Sequence, residues 1–178
     1  SYIYKKKNKK IKENDDIKTY NPYSYTKFVS ENILSEFKKY FNFNLIVLRV
    51  FNVVSVNSPK KSLFGTLIGQ IKKDAFKIND PNPERDYLHI NDFLNLISRI
   101  LKSKKNDGIY NVCYGKSYKN IMIAKLFSKY FKKKLIINYK KRKNDHIYIK
   151  GNRNKISKEF SWVPKLDIRD FKQFINKK

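Results

Sequence analysis

The sequence predicts an α/β fold, because segments with strand periodicity alternate with segments with helical periodicity along the chain. The clearest strand is "NLIVLRVFN" (44–52), a continuous apolar and β-branched run typical of a strand buried on both faces of a parallel sheet. The clearest helix has Pro22 at its start, where the missing backbone N–H has no cost, and its helical pattern runs from Tyr23 to about Tyr40. Its apolar residues recur at helical spacings and form one face: Phe28, Ile33, Leu34 and Phe37.

The middle of the chain continues the alternation. Residues 5–21 are polar and loop-like and precede the first helix. After the strand, a loop leads to a predicted helix near 63–73 and a short strand at 76–78. "RDYLHI" (85–90) is extended, and "NDFLNLISRILK" (91–102) is helical, with Asn91 or Asp92 as its N-cap.

The last third repeats the pattern. "GIYNVC" predicts a strand, and "SYKNIMIAKLFSKYF" (117–131) predicts an amphipathic helix capped by Ser117. "KLIINY" predicts another strand, and two short helices are expected on either side of Pro164 in "WVPK".

Composition limits the protein class. The 178 residues are 40% hydrophobic, which suits a domain with an apolar core. No run of about 18 apolar residues is present, so no membrane span is expected. The single Cys113 excludes an internal disulfide and suits a reducing, cytoplasmic compartment. The chain opens without Met on the strand-like "SYIY", so we expect it to begin within a larger unit.

The net charge of +26 has two explanations. One is a polyanionic partner, either nucleic acid or an anionic membrane surface. The other is compositional drift, because only six of the 41 basic residues are Arg and because Lys, Asn, Ile, Tyr and Phe, which share A/T-rich codons, are all abundant. The lysines are scattered, and no zinc-finger, RNA-recognition or helix-turn-helix signature is present, so drift is favoured over a nucleic-acid-binding module.

A Tyr followed four residues later by Lys occurs four times, a frequency that chance explains: Tyr2/Lys6, Tyr23/Lys27, Tyr130/Lys134 and Tyr139/Lys143. On a helix this spacing puts both side chains on one face, where the ammonium stabilises a phenolate used in acid–base catalysis. Spacing alone does not distinguish a catalytic pair from an aromatic residue in the first turn of a helix.

Six short motifs, taken in their order along the chain, single out one of the four Tyr–Lys pairs. They are "PYSYTK", "LRVFNVV", "ERDYLHINDF", "GIYNVCYGKSY", "KRKND" and "NKISKEFSWVPK". Together they resemble the C-terminal half of the extended short-chain dehydrogenase/reductase family, the NAD-dependent nucleotide-sugar epimerases and dehydratases. The resemblance covers about residues 1–176.

The resemblance implies the C-terminal portion of a Rossmann-type fold with a small α/β substrate-binding domain. Residues 1–55 would end the NAD domain, and 56–178 would mainly bind nucleotide sugar, with a returning sheet strand near 85–112. The family's G-x-x-G-x-x-G loop for the dinucleotide is absent from these residues, so the glycine-rich half is expected to be missing. On that expectation the isolated chain is inactive.

The resemblance also assigns a site. Tyr23 and Lys27 match the catalytic pair, and Phe51 joins them near the nicotinamide of NAD, with NADP as the alternative. Asn52, Arg85 and Arg142 match residues that bind the diphosphate of the sugar nucleotide. Each of three residues also has an ordinary structural explanation, which remains open. Phe51 would be a core residue, Arg85 an ion-pair partner of Asp86, and Arg142 a solvated charge. His89 and His146 lack ligand spacing, so no metal is expected.

Departures from the family pattern narrow the choice among the family's reactions. Ser1 and Tyr2 stand where the dehydratases carry an Asp-Glu pair, which favours an epimerase or ketosugar reductase acting through a 4-keto sugar. Lys5 replaces a Gly, and Asn79 stands where an apolar or aromatic residue often stacks on the base. A homodimer through the Tyr–Lys helix is expected by resemblance only. The alternative function is a non-catalytic remnant of such an enzyme.

Overall fold

The computed structural model describes residues 3–5, 7–139 and 148–170 and confirms the α/β class. Its helices within these residues are α1 (Pro22–Phe41), α2 (Leu63–Ile68), α3 (Ile90–Lys102), α4 (Asn120–Phe131) and α5 (Asn154–Glu159). Its strands are β1 (Ile46–Val50), β2 (Asn52–Val54), β3 (Ala75–Asn79), β4 (Glu84–His89), β5 (Gly108–Val112), β6 (Ser117–Lys119), β7 (Lys134–Asn138) and β8 (Tyr148–Ile149). No helix in this part of the chain is long and apolar enough to cross a membrane.

The strands in the described residues form three small sheets. β1 pairs in parallel with β5, and β3 pairs in parallel with β7. β4 is the centre of the remaining sheet, with β2 and β8 parallel to it and β6 antiparallel. Mostly parallel pairing with intervening helices is the arrangement expected of an α/β protein.

The predicted strand 44–52 is two strands. The backbone N–H of Phe51 donates to the carbonyl of Val112 (2.9 Å), which completes the pairing of β1 with β5. From Asn52 onward the chain pairs with β4 instead, in the register Asn52↔Tyr87. Because β1 and β2 lie on either side of one residue, the carboxyl end of β1 is brought next to β4.

Three hydrophobic clusters stabilise these sheets. The largest packs α2 and α4 against β3 and β4, with an edge-to-face contact of Phe64 and Phe127 at its centre. A second joins β1 and β5 to α3, α5 and Trp162. A third surrounds Phe51 and Cys113, where a Cβ on Gly151 would lie 2.4 Å from the Cys113 sulfur. Glycine is therefore needed at 151 for the segment after β8 to approach Cys113, the residue after β5.

Helix α1 begins as the sequence predicts but buries little of its apolar face. Asn21 caps it by accepting from the Ser24 N–H (2.8 Å), while the Ser24 hydroxyl accepts from the Asn21 N–H (3.2 Å). Ser24 is its one fully buried residue among the described ones. Large apolar side chains are exposed along the helix: Ile33, Leu34, Phe37, Tyr40 and Phe41.

Two predicted helix caps are wrong. The cap of α3 is His89, whose Nδ1 accepts from the Asn91 N–H (3.1 Å); Asp92 instead accepts the N–H groups of Lys165 and Leu166. Ser117 lies in β6, because 117–119 pair with β4, and its hydroxyl donates to Glu84. Helix α4 therefore begins three residues later than predicted, at Asn120.

Other secondary-structure elements also differ from their predicted bounds. The helix predicted at 63–73 ends at Ile68, and turns replace its last part. Strand β8 has no counterpart among the predicted elements. After Pro164 the described residues contain only a turn, so the second short helix is not found up to residue 170. Arg142 and His146 lie outside the described residues.

Candidate active site

The first turns of α1 carry the predicted catalytic pair. Lys27 Nζ lies 5.6 Å from the centroid of the Tyr23 ring, within the range of a cation–π contact. Tyr23 is 62% exposed, so its hydroxyl is accessible to a ligand. Both side chains line a cavity of about 430 Å³, whose opposite wall is formed by residues 45–50.

Within the described residues, the structure separates this pair from one of its three chance counterparts. Of the four pairs, the described residues contain both members of two, and Tyr130 and Lys134 lie on different elements, α4 and β7. Only Tyr23 and Lys27 of these two pairs share one helix face. The neighbouring Tyr25 is 59% exposed and is not among the residues that line the cavity.

A buried network closes the back of the cavity. Arg49 of β1 is 6% exposed, and its Nη2 donates to Glu31 Oε2 of α1 at 2.8 Å. Its Nη1 donates to the Tyr4 hydroxyl at 2.9 Å, and that hydroxyl donates to Asn111 Oδ1 at 2.7 Å. Burial opposes the charge of Arg49, but its bonds to Glu31 and Tyr4 raise the pKa of Arg49. Burial raises the pKa of Tyr4 to about 12, so this phenol stays protonated.

This network is not among the site residues that the sequence predicts. A basic residue inside the otherwise apolar run "LIVLRV" was the one available signal, because a charge in a buried strand needs a partner. Its partners come from residues 18 and 45 positions away in sequence, which no local pattern reveals.

The predicted cofactor residue Phe51 lies inside the fold. It is 5% exposed and packs in the cluster that contains Cys113 and Ile149. Its position directly after β1 places it at the carboxyl end of that strand, next to the Tyr–Lys cavity wall. Carboxyl ends of parallel strands are where open α/β sheets bind ligands.

The predicted substrate residues Asn52 and Arg85 lie on neighbouring strands. Asn52 Nδ2 donates to the backbone carbonyl of Asp86 (3.0 Å), which ties β2 to β4. Arg85 is 6% exposed, and its Nη1 donates to the carbonyl of Glu84 at 3.3 Å. The structure thus brings these two residues together.

Asp86, next to Arg85, is a structural centre. Its carboxylate accepts from the backbone N–H groups of Tyr114 (2.8 Å), Gly115 (2.9 Å) and Gly151 (3.2 Å). Burial raises the pKa of Asp86 to about 6, although these three donors favour the charged form. The same burial, with the nearby Asp86 charge, raises the pKa of the Cys113 thiol well above its usual value. Asp86 therefore joins β4, the turn after β5 and β8.

A second, smaller cavity of about 110 Å³ includes Asn79. Its other polar wall residues include Asp80 and Asn120, and Asn120 Nδ2 donates to the carbonyl of Asp80 at 3.2 Å. No group of His, Cys, Asp or Glu that could hold a metal ion occurs in the described part of the chain.

Parallel strand pairs with intervening helices, and a cavity along one parallel strand, are typical of Rossmann-type α/β proteins. The model of the NAD dependent epimerase/dehydratase family matches residues 1–113, so the chain belongs to that family. This confirms the resemblance drawn from the six motifs.

Curated relatives have sugar-nucleotide functions. UDP-arabinose 4-epimerase 1 of Arabidopsis thaliana is 27% identical over 170 residues, which are 82% of this chain and 41% of that protein. GDP-6-deoxy-D-mannose reductase of Pseudomonas aeruginosa is 21% identical over 159 residues, covering 84% of this chain and 52% of that protein. The chain thus spans about half the length of the curated relatives it matches.

Solved structures show the same fold. UDP-glucuronic acid 4-epimerase from Bacillus cereus, in complex with UDP-glucuronic acid and NAD, matches with a TM-score of 0.90 at 23% identity, over 98% of this chain and 57% of that one. RMD from Pseudomonas aeruginosa, complexed with NADPH, matches with a TM-score of 0.85 at 20% identity, over 94% and 60%. These likenesses confirm the predicted fold class.

Proposed function

We propose that this chain supplies the acid–base pair and the sugar-nucleotide site of an NAD-dependent nucleotide-sugar epimerase acting through a 4-keto sugar. The observation that supports the proposal is the Tyr23–Lys27 pair, with the ammonium 5.6 Å from the ring centroid on the wall of an open cavity. A ketosugar reductase uses the same pair in one direction only.

Tyr23 is the proposed proton carrier. Its exposed phenolate accepts the proton of a sugar hydroxyl as that carbon is oxidised, and the phenol returns a proton when the carbonyl is reduced. Lys27 stabilises the phenolate through its positive charge. The opposite configuration results if the keto sugar presents its other face before reduction.

The residues present fit the nicotinamide end of NAD. Lys27 is exposed on the cavity, and its ammonium can donate to the hydroxyls of the nicotinamide ribose. When bound, NAD supplies a hydride acceptor and donor. Phe51 would pack near the nicotinamide, and NADP is the alternative cofactor. No glycine-rich phosphate loop occurs in the 178 residues, so this chain's own residues hold only that end of the dinucleotide.

Asn52, Arg85 and Arg142 are the proposed diphosphate ligands. Asn52 lies on β2, which follows the cavity-wall strand β1 after one residue, and Arg85 lies on β4, which pairs with β2. A diphosphate beside these two residues would extend from a sugar held at Tyr23. A guanidinium donates two parallel hydrogen bonds to phosphate oxygens, which Lys does not. On this basis residues 1–55 serve the cofactor and 56–178 mainly serve the sugar nucleotide.

Epimerisation of a UDP-sugar is favoured over reduction because UDP-arabinose 4-epimerases match this chain at 25–27% identity, whereas GDP-6-deoxy-D-mannose reductase matches it at 21%. The nucleotide and the sugar are proposals by similarity. Dimerisation through α1 is also proposed, since that helix exposes its apolar face.

The test uses a protein that supplies the part of the relatives this chain does not cover. The N-terminal part of the Bacillus cereus epimerase, fused ahead of Ser1, would provide the phosphate loop. Conversion of UDP-xylose to UDP-arabinose, and of UDP-glucuronic acid to its 4-epimer, is followed by proton NMR with NAD present.

Tyr23→Phe should lower turnover by about 10²–10⁴-fold while nucleotide-sugar binding, measured by calorimetry, is nearly unchanged. Tyr25→Phe is the matched control, because it removes a neighbouring exposed hydroxyl that does not line the cavity. A Tyr23→Phe variant that keeps more than about a tenth of the parent rate removes Tyr23 from the mechanism. A folded, NAD-binding fusion without turnover supports the non-catalytic remnant.

A further inference from the structure

One buried guanidinium connects the Tyr–Lys helix to the sheet. Arg49 Nε donates to both carboxylate oxygens of Glu31 (3.2 and 3.0 Å), and Nη2 donates to Oε2 at 2.8 Å. The side chains of this pair are 5% and 16% exposed. This is the forked geometry in which an Arg–carboxylate pair has a defined orientation as well as a favourable energy.

The other end of the guanidinium is fixed by segments outside α1. Arg49 Nη1 donates to the Tyr4 hydroxyl and to the Glu13 carbonyl, each at 2.9 Å. The Glu13 carboxylate accepts from the Asn111 N–H of β5 at 2.8 Å. Arg49 is therefore held by the N-terminal segment and by strands β1 and β5, whatever the position of α1.

Glu31 lies on the same face of α1 as the catalytic pair. It follows Lys27 by four residues and Tyr23 by eight, which are about one and two turns of helix. All three residues line the same cavity. Because α1 buries only Ser24 completely, its apolar packing constrains the rotation of the helix weakly.

We propose that Arg49 and Glu31 are positioning residues: their forked ion pair sets the rotation of α1 about its axis and so the placement of Tyr23 and Lys27 against β1. This inference rests on the proposed function, because that function gives Tyr23 and Lys27 a shared catalytic task. Arg49 and Glu31 touch neither substrate nor cofactor in this mechanism; they act through the helix.

The placement of Lys27 can be read without any enzyme activity. Reductive methylation of the 178-residue chain with ¹³C-formaldehyde keeps the lysine charges and gives each lysine a dimethylamine NMR signal. Lys27→Arg assigns its signal. The signal should be displaced by the ring current of Tyr23, because the two groups are 5.6 Å apart, and Tyr23→Leu should remove that displacement.

Glu31→Gln and Arg49→Lys should each remove most of the Lys27 ring-current displacement. Arg49→Lys keeps the positive charge but cannot form the forked pair of hydrogen bonds to the Glu31 carboxylate. It therefore distinguishes an effect of hydrogen-bond orientation from an effect of charge alone. Glu36→Gln is the matched control, because it neutralises a carboxylate in an exposed pair with Lys39 on the same helix, and it should leave the signal in place. Circular dichroism confirms that each variant remains folded.

An unchanged Lys27 signal in folded Arg49→Lys or Glu31→Gln overturns the proposal. The proposal also fails if, in the parent protein, the Lys27 signal has the chemical shift of an exposed lysine. In the fused enzyme, Glu31→Gln should lower kcat about 10- to 100-fold with KM within about twofold, the cost of a small misplacement of reacting groups. If the fusion has no turnover, the proposed function fails while the NMR result still decides the positioning role.

Discussion

Replacing Asp86 by Asn should change how the stability of the protein depends on pH. The Asp86 carboxylate is 0% exposed and accepts three backbone N–H groups, and burial raises the pKa of Asp86 to about 6. The folded state therefore binds this proton more tightly than the unfolded chain, where the pKa is 3.8. The stabilisation from protonating Asp86 is complete below about pH 4 and is lost as pH rises to about 6.

The magnitude follows from that difference. Raising a pKa from 3.8 to about 6 corresponds to about 3 kcal/mol of unfolding free energy. The parent should gain about this much relative to Asp86→Asn between about pH 7 and pH 4, since titrations of other groups cancel in the comparison. The amide also leaves at least one of the three N–H groups without an acceptor, a cost of about 1–3 kcal/mol that does not vary with pH.

Urea unfolding of both proteins at half-unit steps from about pH 4 to pH 7 measures the effect. Asp16→Asn, in an exposed ion pair with Lys5, is the matched control and should follow the parent. A stability difference between parent and Asp86→Asn that stays constant over this range, or that grows with pH, would contradict a raised pKa of Asp86 in the folded protein.

Three further predictions concern ligands and packing. Arg85→Ala and Arg142→Ala in the fused enzyme should each weaken nucleotide-sugar binding by about 1.5–3 kcal/mol in calorimetry; a larger loss of nucleic-acid binding would favour a basic module instead. Gly151→Ala should lower the free energy of unfolding by about 1–3 kcal/mol, because its Cβ would lie 2.4 Å from the Cys113 sulfur; an unchanged urea midpoint would contradict this. The 178 residues alone should show no NAD binding in calorimetry, and one-to-one micromolar binding would reveal a phosphate site that the sequence does not indicate.

Local patterns predicted most elements because they depend on nearby residues. Asn21, Pro22 and Ser24 specify the start of α1 through hydrogen bonds within four residues. The apolar runs identified β1 and β5, whose parallel pairing follows from the α/β pattern. The Tyr23–Lys27 pair was also local, although its selection among four pairs needed the order of the motifs.

The errors in element boundaries have tertiary causes. Ser117 has the composition of an N-cap, but pairing of 117–119 with β4 satisfies that backbone as a strand. Asp92 has a capping side chain too, yet the N–H groups of Lys165 and Leu166 occupy it, and His89 caps α3 instead. Local propensity is overridden where a distant segment offers a better hydrogen-bond partner.

The fold class, the family and the helix that carries Tyr23 and Lys27 follow from the sequence alone. These depend on periodicity, on Pro22 at the start of the helix and on the order of short motifs. Three features are visible only in the folded protein. The apolar run divides at Phe51, Asn52 and Arg85 lie on paired strands, and Arg49 joins Glu31 to Tyr4. The physical reason is that a buried charge or strand edge is satisfied by whichever partner the fold brings near, and those partners are far apart along the chain.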